Sequence, residues 1–392
     1  MKYPLACDTW DDKEIQAINE VIKSGRYTMG PHVKKFEKEF AEFFGCTDAV
    51  MVNSGSTANL LMLATLALKH NLKGNIIVPA VSWSTTYFPL QQYGFKLNFV
   101  DIDMNTLNID AEKIEKAIDK DTCAIFAVNL LGNSCNFNKL NQIAEKHNLM
   151  LLEDNCESLG AISDTDIHCG TVGHMGSFSF FFSHHLQTME GGMIACQNGA
   201  DADFIRSLRA HGWIRDLPDK NDLHEKTGDP FKDSFTFITP GYSVRPLEMS
   251  GAIGSVQLKK WPDMWEQRKK NAEYFRKKMS DIPEVKLQTE VGQSSWFGFS
   301  MVFTGALEGK RDIIVNNFRN KEIECRPIVA GNFMKNPVIK YLNHINHNDY
   351  AVADYIHENG LFIGNDVRDL RENIDLVHSL LVELIDYIGG VK

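Results

Sequence analysis

The segment GSFSFFFSHHLQTMEGG, Gly176 to Gly192, runs from an apolar stretch through two adjacent histidines to a glycine pair. Phe180, Phe181 and Phe182 read as a strand in a buried sheet, because aromatic side chains favour pleated, enclosed surfaces. Glu190-Gly191-Gly192 permits tight backbone turning where the segment closes. His184 stands between the two. Its imidazole, with an ordinary pKa of about 6.5, is partly neutral at working pH and suits general-base work. Outside any motif, a histidine on an apolar background is more often a core residue. His185 reads as a neighbour rather than a catalyst.

Upstream, short apolar runs alternate with amphipathic stretches: IIVPA, KLNFVDID, CAIFAVNL and LMLLE are separated by helical patterns such as Ala111 to Ile118 and Lys139 to His147. Strands separated by helices form parallel β-α-β units, which keep their sites in loops at the strand C-termini. Three such junctions carry candidate residues. After AVMVN, Ser54-Gly55-Ser56-Thr57-Ala58-Asn59 opens the apolar helix LLMLATLAL. Small residues there let backbone N–H groups and hydroxyls converge on an anion, a plain N-cap being the simpler alternative. After IIVPA comes Val81-Ser82-Trp83-Ser84-Thr85-Thr86, where Trp83 is either a core tryptophan or a flat face for a ligand. LMLLE ends on Glu153 and is followed by Asp154-Asn155-Cys156-Glu157-Ser158-Leu159-Gly160; of the two acids, Glu153 reads as structural.

In this order the serine-aromatic run, the closing Glu-Gly-Gly, the serine-rich cradle, the Ser-Trp pair and the Glu-Asp junction resemble the DegT/DnrJ/EryC1/StrS sugar aminotransferases over nearly the whole chain. The resemblance implies an α/β protein of the aspartate aminotransferase fold, fold type I for pyridoxal 5'-phosphate. A large domain, residues 1–260 with the N-terminal helices, carries a mixed, mainly parallel sheet, and a small α+β C-terminal domain spans 261–392. It also implies roles: Ser56, Thr57 and Ser179 on the cofactor phosphate, Trp83 stacked on the ring, and Asp154 keeping the ring nitrogen protonated so that the ring acts as an electron sink. Gly241-Tyr242-Ser243-Val244-Arg245-Pro246 matches a family segment that reaches the neighbouring subunit's cofactor phosphate in a homodimer with a shared active site. Ser243 replaces the usual Asn, and a hydroxyl still bonds phosphate. Arg245 serves substrate or fold, and Arg326 with Pro327 lines the substrate entrance. Glu157 departs from the Gln or His common in the family; it contacts the ring oxygen, positions water, or is a solvated helix residue.

One departure decides the chemistry. Aligned on the Ser-Phe start and on Glu190-Gly191-Gly192, His184 occupies the position of the family's Schiff-base lysine. A lysine ε-amine holds pyridoxal phosphate covalently and shuttles a proton, whereas an imidazole does only the second. The implied cofactor is therefore loosely held pyridoxamine 5'-phosphate. The implied reaction is that of the 3-dehydratase branch, which removes the C3 hydroxyl of a nucleotide-linked 4-keto-6-deoxyhexose and uses L-glutamate to restore the amine. GDP-4-keto-6-deoxymannose is the implied substrate. An iron–sulfur CDP-sugar 3-dehydratase, a variant sugar aminotransferase and a catalytically silent paralogue are the alternatives.

Composition narrows these. The eight cysteines are scattered without a CxxC pair, and after His184 only Cys196 precedes Cys325, which disfavours a cluster and predicts no metal. Lys plus Arg is 41 against 51 Asp plus Glu, a net charge of −10, which argues against a nucleic-acid surface. The opening MKYPLACDTWDD lacks the apolar core of a signal peptide and no run of about 18 apolar residues occurs, so a cytoplasmic enzyme with no membrane contact is expected. Asp11 to Ser24, with Ile15, Ile18, Val21 and Ile22 at helical spacing, predicts a helix ended by Gly25; Phe36, Phe40, Phe43 and Phe44 mark the buried side of a second. The polar stretch Trp213 to Ser234 carries either selectivity or disorder.

Overall fold

A computed structural model describes residues 1–390. The chain opens with α1 (Asp12–Ser24), α2 (Pro31–Phe44), β1 (Asp48–Val52) and α3 (Gly55–Leu68). The predicted alternation follows: β2 (Asn75–Pro79), α4 (Ser84–Gln92), β3 (Lys96–Val100), α5 (Ala111–Ala117), β4 (Thr122–Val128), α6 (Phe137–His147) and β5 (Met150–Asp154). β6 (Met175–Ser179) and β7 (Gly192–Cys196) flank the histidine segment, and α7 (Gly199–Arg209) and α8 (Pro230–Asp233) lead to the long α9 (Glu248–Met279). The C-terminal part holds β8 (Val285–Leu287), β9 (Gly298–Phe303), α10 (Arg311–Asn320), β10 (Cys325–Arg326), β11 (His344–Ile345), α11 (Ala351–Asn359), β12 (Gly360–Gly364) and α12 (Arg371–Gly390).

Local chemistry sets the element ends. Asp11 and Glu14 form a capping box at the start of α1, and Gly25 closes it in the left-handed conformation. Pro31 starts α2, where its missing N–H costs nothing. α3 is apolar nearly all round and is sandwiched against β6, β7 and α4. Val21 of α1 is buried but Ile15 and Ile22 face solvent, as does Phe43 of α2, so the apolar stripes are narrower than the spacing suggests.

The strands assemble into an eight-stranded sheet, β1-β7-β6-β5-β4-β2-β3-β11, and a four-stranded one, β10-β12-β9-β8. In the large sheet only β7 runs antiparallel to its neighbours; the small sheet is antiparallel throughout. This is the expected mixed, mainly parallel α/β lobe with a smaller α+β lobe. The lobes are not two successive pieces of chain. The expected division at 260/261 falls inside the 32-residue α9. β11 extends the large sheet along β3, and Phe333, Tyr350 and Ile356 join the large core. The buried carboxylate of Asp101, just beyond β3, accepts from Val352 N at 3.0 Å and Ala353 N at 2.9 Å and so caps α11. In the opposite sense Tyr3 enters the second core with Phe275, Phe299 and Ile363, and its hydroxyl donates to Gly364 O at 2.7 Å.

The histidine segment differs from the sequence expectation in two ways. The strand is Met175–Ser179, ending where Ser179 pairs with Gly192. Phe180 is buried beyond it, but Phe181 and Phe182 are 45% and 50% exposed. Gly191 and Gly192 do not turn the chain: neither has a positive φ, which belongs to Met189 at 68°. They are needed for close approach, since a Cβ on Gly192 would sit 2.4 Å from the Ser54 carbonyl. Among the described residues no helix is long and apolar enough to cross a membrane.

Candidate active site

At the C-terminal ends of β4, β5 and β6 lies a cavity of about 270 Å³, closed on its far side by the second lobe. This is where a parallel sheet offers backbone groups and loops to a ligand. Ser56, Trp83, Asp154, Glu157, Ser179, His184 and Arg326 all line it; Thr57, Ser243 and Arg245 do not.

The N-termini of α3 and α4 meet at one end. Ser54 caps α3 by accepting from Thr57 N at 3.2 Å, and the Thr57 hydroxyl donates to Asn53 Oδ1 at 2.7 Å. Thr57 is thus committed to the cap and turned from the cavity, contrary to expectation. Ser56 faces inward and donates to Thr85 Oγ1 at 3.0 Å, tying the two helix starts together. Gly55 lets α3 approach Ser179, whose Cβ would lie 2.7 Å from a Cβ at position 55. The first N–H groups of α3, with Ser56 and Ser179, make a cradle that suits a phosphate.

Trp83 is 57% exposed at the mouth, so it is not a core tryptophan. Adjacent residues on a strand point to opposite faces, which separates the two acids ending β5. Glu153 points away and is consumed by the N–H groups of Gly170, Val172 and Gly173 at 2.5, 2.7 and 2.7 Å. Asp154 points into the cavity, where Thr86 Oγ1 donates to Oδ2 at 2.7 Å and Asn59 Nδ2 at 2.8 Å. Asn59 and Thr86 escaped the sequence reading; both lie in quoted motifs, one helical turn beyond residues singled out there, and that spacing was the available signal. Glu157 accepts from Leu131 N at 3.1 Å. Burial, with a smaller push from Asp154, raises its pKa to about 7, so it is no solvated helix residue.

His184 follows β6 in the loop closed by Phe180. Burial chiefly, and then the Arg268 and Arg326 charges, lower its pKa to about 4, leaving a neutral imidazole at physiological pH. Its buried Nδ1 has no hydrogen-bond partner in the protein. His185 is fully buried against Trp261 and Phe297, and its Nε2 lies 3.2 Å from Ser295 O. Only His184 faces the cavity.

Ser243 and Arg245 run along the outside of α7, where Val244 N donates to Arg209 O at 3.1 Å. Ser243 is exposed, and the Arg245 guanidinium stands 5.5 Å from the Trp213 ring centroid, on which Arg215 also lies at 3.7 Å. Within one chain neither reaches the cavity. No group of three or more His, Cys, Asp and Glu among the described residues is placed to hold a metal ion.

The profile of the DegT/DnrJ/EryC1/StrS aminotransferase family matches residues 8–380. This chain belongs to that family. Within the DegT/DnrJ/EryC1/StrS family it is similar to the GDP-4-keto-6-deoxy-D-mannose 3-dehydratase of Escherichia coli O55:H7, at 51% identity over 97% of this chain and 100% of the relative. The protein of that name from Yersinia pseudotuberculosis is 49% identical over 97% of this chain and 98% of its own length. A crystal structure of GDP-4-keto-6-deoxymannose-3-dehydratase with a trapped PLP-glutamate geminal diamine superposes with a TM-score of 0.94 at 51% identity, covering 97% of this chain and 100% of that one.

Proposed function

We propose that this chain is a pyridoxamine 5'-phosphate-dependent 3-dehydratase that removes the C3 hydroxyl of GDP-4-keto-6-deoxymannose with L-glutamate as amino donor, acting in the cytoplasm. The observation that carries it is His184: a neutral imidazole at about pKa 4 faces the cavity where the family's aminotransferases need a lysine. Retention of Asp154, with Thr86 and Asn59 holding its carboxylate, argues against a silent paralogue.

Pyridoxamine phosphate, when bound, supplies the amine that condenses with the C4 ketone and a ring that takes up electrons as the C3–O bond breaks. Ser56, Ser179 and the start of α3 hold the phosphate. Trp83 covers the ring face and Asp154 keeps the ring nitrogen protonated. Glu157, whose pKa of about 7 leaves a protonated fraction near neutral pH, would offer its O–H to the ring oxygen. His184 takes the proton from C4' and returns one to the departing C3 hydroxyl. Phe297, Val329 and Phe362 close the cavity from the second lobe and exclude water, and Arg326 at the rim faces the nucleotide. In balance the sugar loses one oxygen, glutamate is oxidised to 2-oxoglutarate, and ammonia leaves.

Ser243 and Arg245 act across a homodimer, Ser243 on the partner's cofactor phosphate. The exposed Ile15, Ile22, Phe181, Phe182 and Leu247 supply apolar surface for that contact.

Mass analysis of the sugar nucleotide after incubation with pyridoxal phosphate, L-glutamate and GDP-4-keto-6-deoxymannose tests the assignment. Loss of one oxygen without any reductase is expected, with no turnover of the CDP-linked control; an amino sugar would instead make the chain a variant transaminase. His184→Lys should capture pyridoxal phosphate covalently, seen as a shift in its absorbance, and impair dehydration. A fully active lysine variant sinks the assignment.

A further inference from the structure

The four residues before β9, Ser294–Phe297, form a turn around Trp296, whose side chain packs into the second core. Trp296 sits at φ 50°, a backbone region that bulky residues avoid. The turn is nevertheless held from every side. Ser295 N donates to Gly132 O at 2.9 Å, and Phe297 N donates to Leu131 O at 3.1 Å. Trp296 O accepts from Asn365 Nδ2 at 2.9 Å and from Arg268 Nη1 at 3.2 Å. Gly132 is glycine for the same reason, since a Cβ there would meet Trp296 N at 2.4 Å. Arg268 is only 3% exposed, and its other contact is again a carbonyl, Asn365 O at 2.7 Å. A buried guanidinium whose only hydrogen bonds go from Nη1 to two carbonyls, with Nε left unpartnered, is costly, and it is placed against this turn. Strain kept by so many constraints points to a positional task.

What the turn presents is the Phe297 ring. It lies edge-on to His184 at 5.3 Å between centroids and 67° between planes, and edge-on to His185 at 5.4 Å and 62°. The ring lines the cavity as well as touching both imidazoles. No hydrogen bond fixes His184 Nδ1, so ring contacts are what orient this imidazole.

We propose that Phe297 is the positioning residue for His184: the strained turn, locked to Arg268 and to Leu131–Gly132, wedges the phenyl ring between the two histidines and holds the His184 imidazole toward the cavity. This rests on the reading of His184 as the base. Edge-to-face pairs of this kind are worth about two- to tenfold in the population of the contacting geometry. The same ring keeps water from His184. The charges around His184 are Arg268 from α9 and Arg326 from β10, while Asp154, Glu157 and Glu190 line the same cavity.

The test is a carbon-13 histidine NMR titration of cofactor-free protein, with His184 assigned by its loss in His184→Asn. The wild-type ring should stay neutral well below its ordinary range. Phe297→Leu should move its titration up toward 6.5 and lower kcat by about tenfold with KM for the sugar nucleotide little changed. Phe297→Tyr, which keeps the ring, should retain both wild-type values. A folded Phe297→Leu protein with unchanged His184 titration overturns the proposal; if leucine does not fold, Phe297→Met is read by the same criterion. The titration needs no cofactor. A wild type inactive on the GDP sugar, but with this Phe297-dependent titration, defeats the dehydratase assignment and upholds the positioning role.

Discussion

His184 and Glu157 are displaced in opposite directions by one cause, enclosure in the same cavity. Between about pH 4 and 6.5 the unfolded chain protonates His184 while the native protein leaves it neutral, so stability rises with pH there. Between 4.5 and about 7 the unfolded chain ionises Glu157 while the native protein keeps it protonated, so stability falls with pH there. Each slope is at most about 1.4 kcal/mol per pH unit. Over the shared window they offset one another, and His185, also held neutral by burial, adds to the histidine side. Glu157→Gln should therefore steepen the rise of denaturant stability with pH across this window, and His184→Asn should flatten or reverse it. Identical profiles for the two variants would disprove the opposition. His184 and Asp154 were legible in the sequence because each stands at a fixed distance from a local motif. Phe297 was not: it meets His184 through a turn that nothing near either residue announces. The alternatives for Glu157 needed a burial state, which sequence does not carry.

At the scale of elements, the site depends on how closely α3 lies against β6 and β7. Gly192→Ala places a methyl 2.4 Å from the Ser54 backbone, and backbone cannot rotate aside as a side chain can. We expect about 1–3 kcal/mol lost from thermal or denaturant stability. Pyridoxamine phosphate affinity should fall at least tenfold in a fluorescence titration, because the N–H groups of α3 would move with Ser54; unchanged affinity would detach the cradle from this contact. Helix limits were readable where caps are local, as with Asp11, Gly25 and Pro31. The Phe180–Phe182 strand failed because a run of aromatics does not say where pairing stops. That is set by register with β7, a partner thirteen positions beyond Ser179 in this pairing.

On the scale of the whole molecule, a chain that leaves Ser243 on its outer surface is expected to complete its site with a second copy. Protomers carrying His184→Asn, mixed and refolded with protomers carrying Ser243→Asp, should regain activity, because each heterodimer rebuilds one site with both native residues. No recovery, with heterodimers demonstrated by light scattering and mass, would confine the site to one chain. The mixed, mainly parallel sheet was legible from the order of strand and helix patterns. The contribution of the C-terminal part to the large sheet was not, since the two residues of β11 are too few to show a period.

The exchange of segments between lobes also sets the order in which the protein can be finished. Tyr3 is made long before its partners Phe275, Phe299 and Gly364. Meanwhile the outer edge of β3 waits for β11. A nascent chain stopped at residue 260 thus exposes an open strand edge and an orphaned aromatic tail, both invitations to self-association. Expressed alone, residues 1–260 should collect in the insoluble fraction, and a soluble, cooperatively melting fragment would show that the lobes can be completed one at a time. The two lobes are therefore expected to finish folding together, once β9, β11 and β12 have been made.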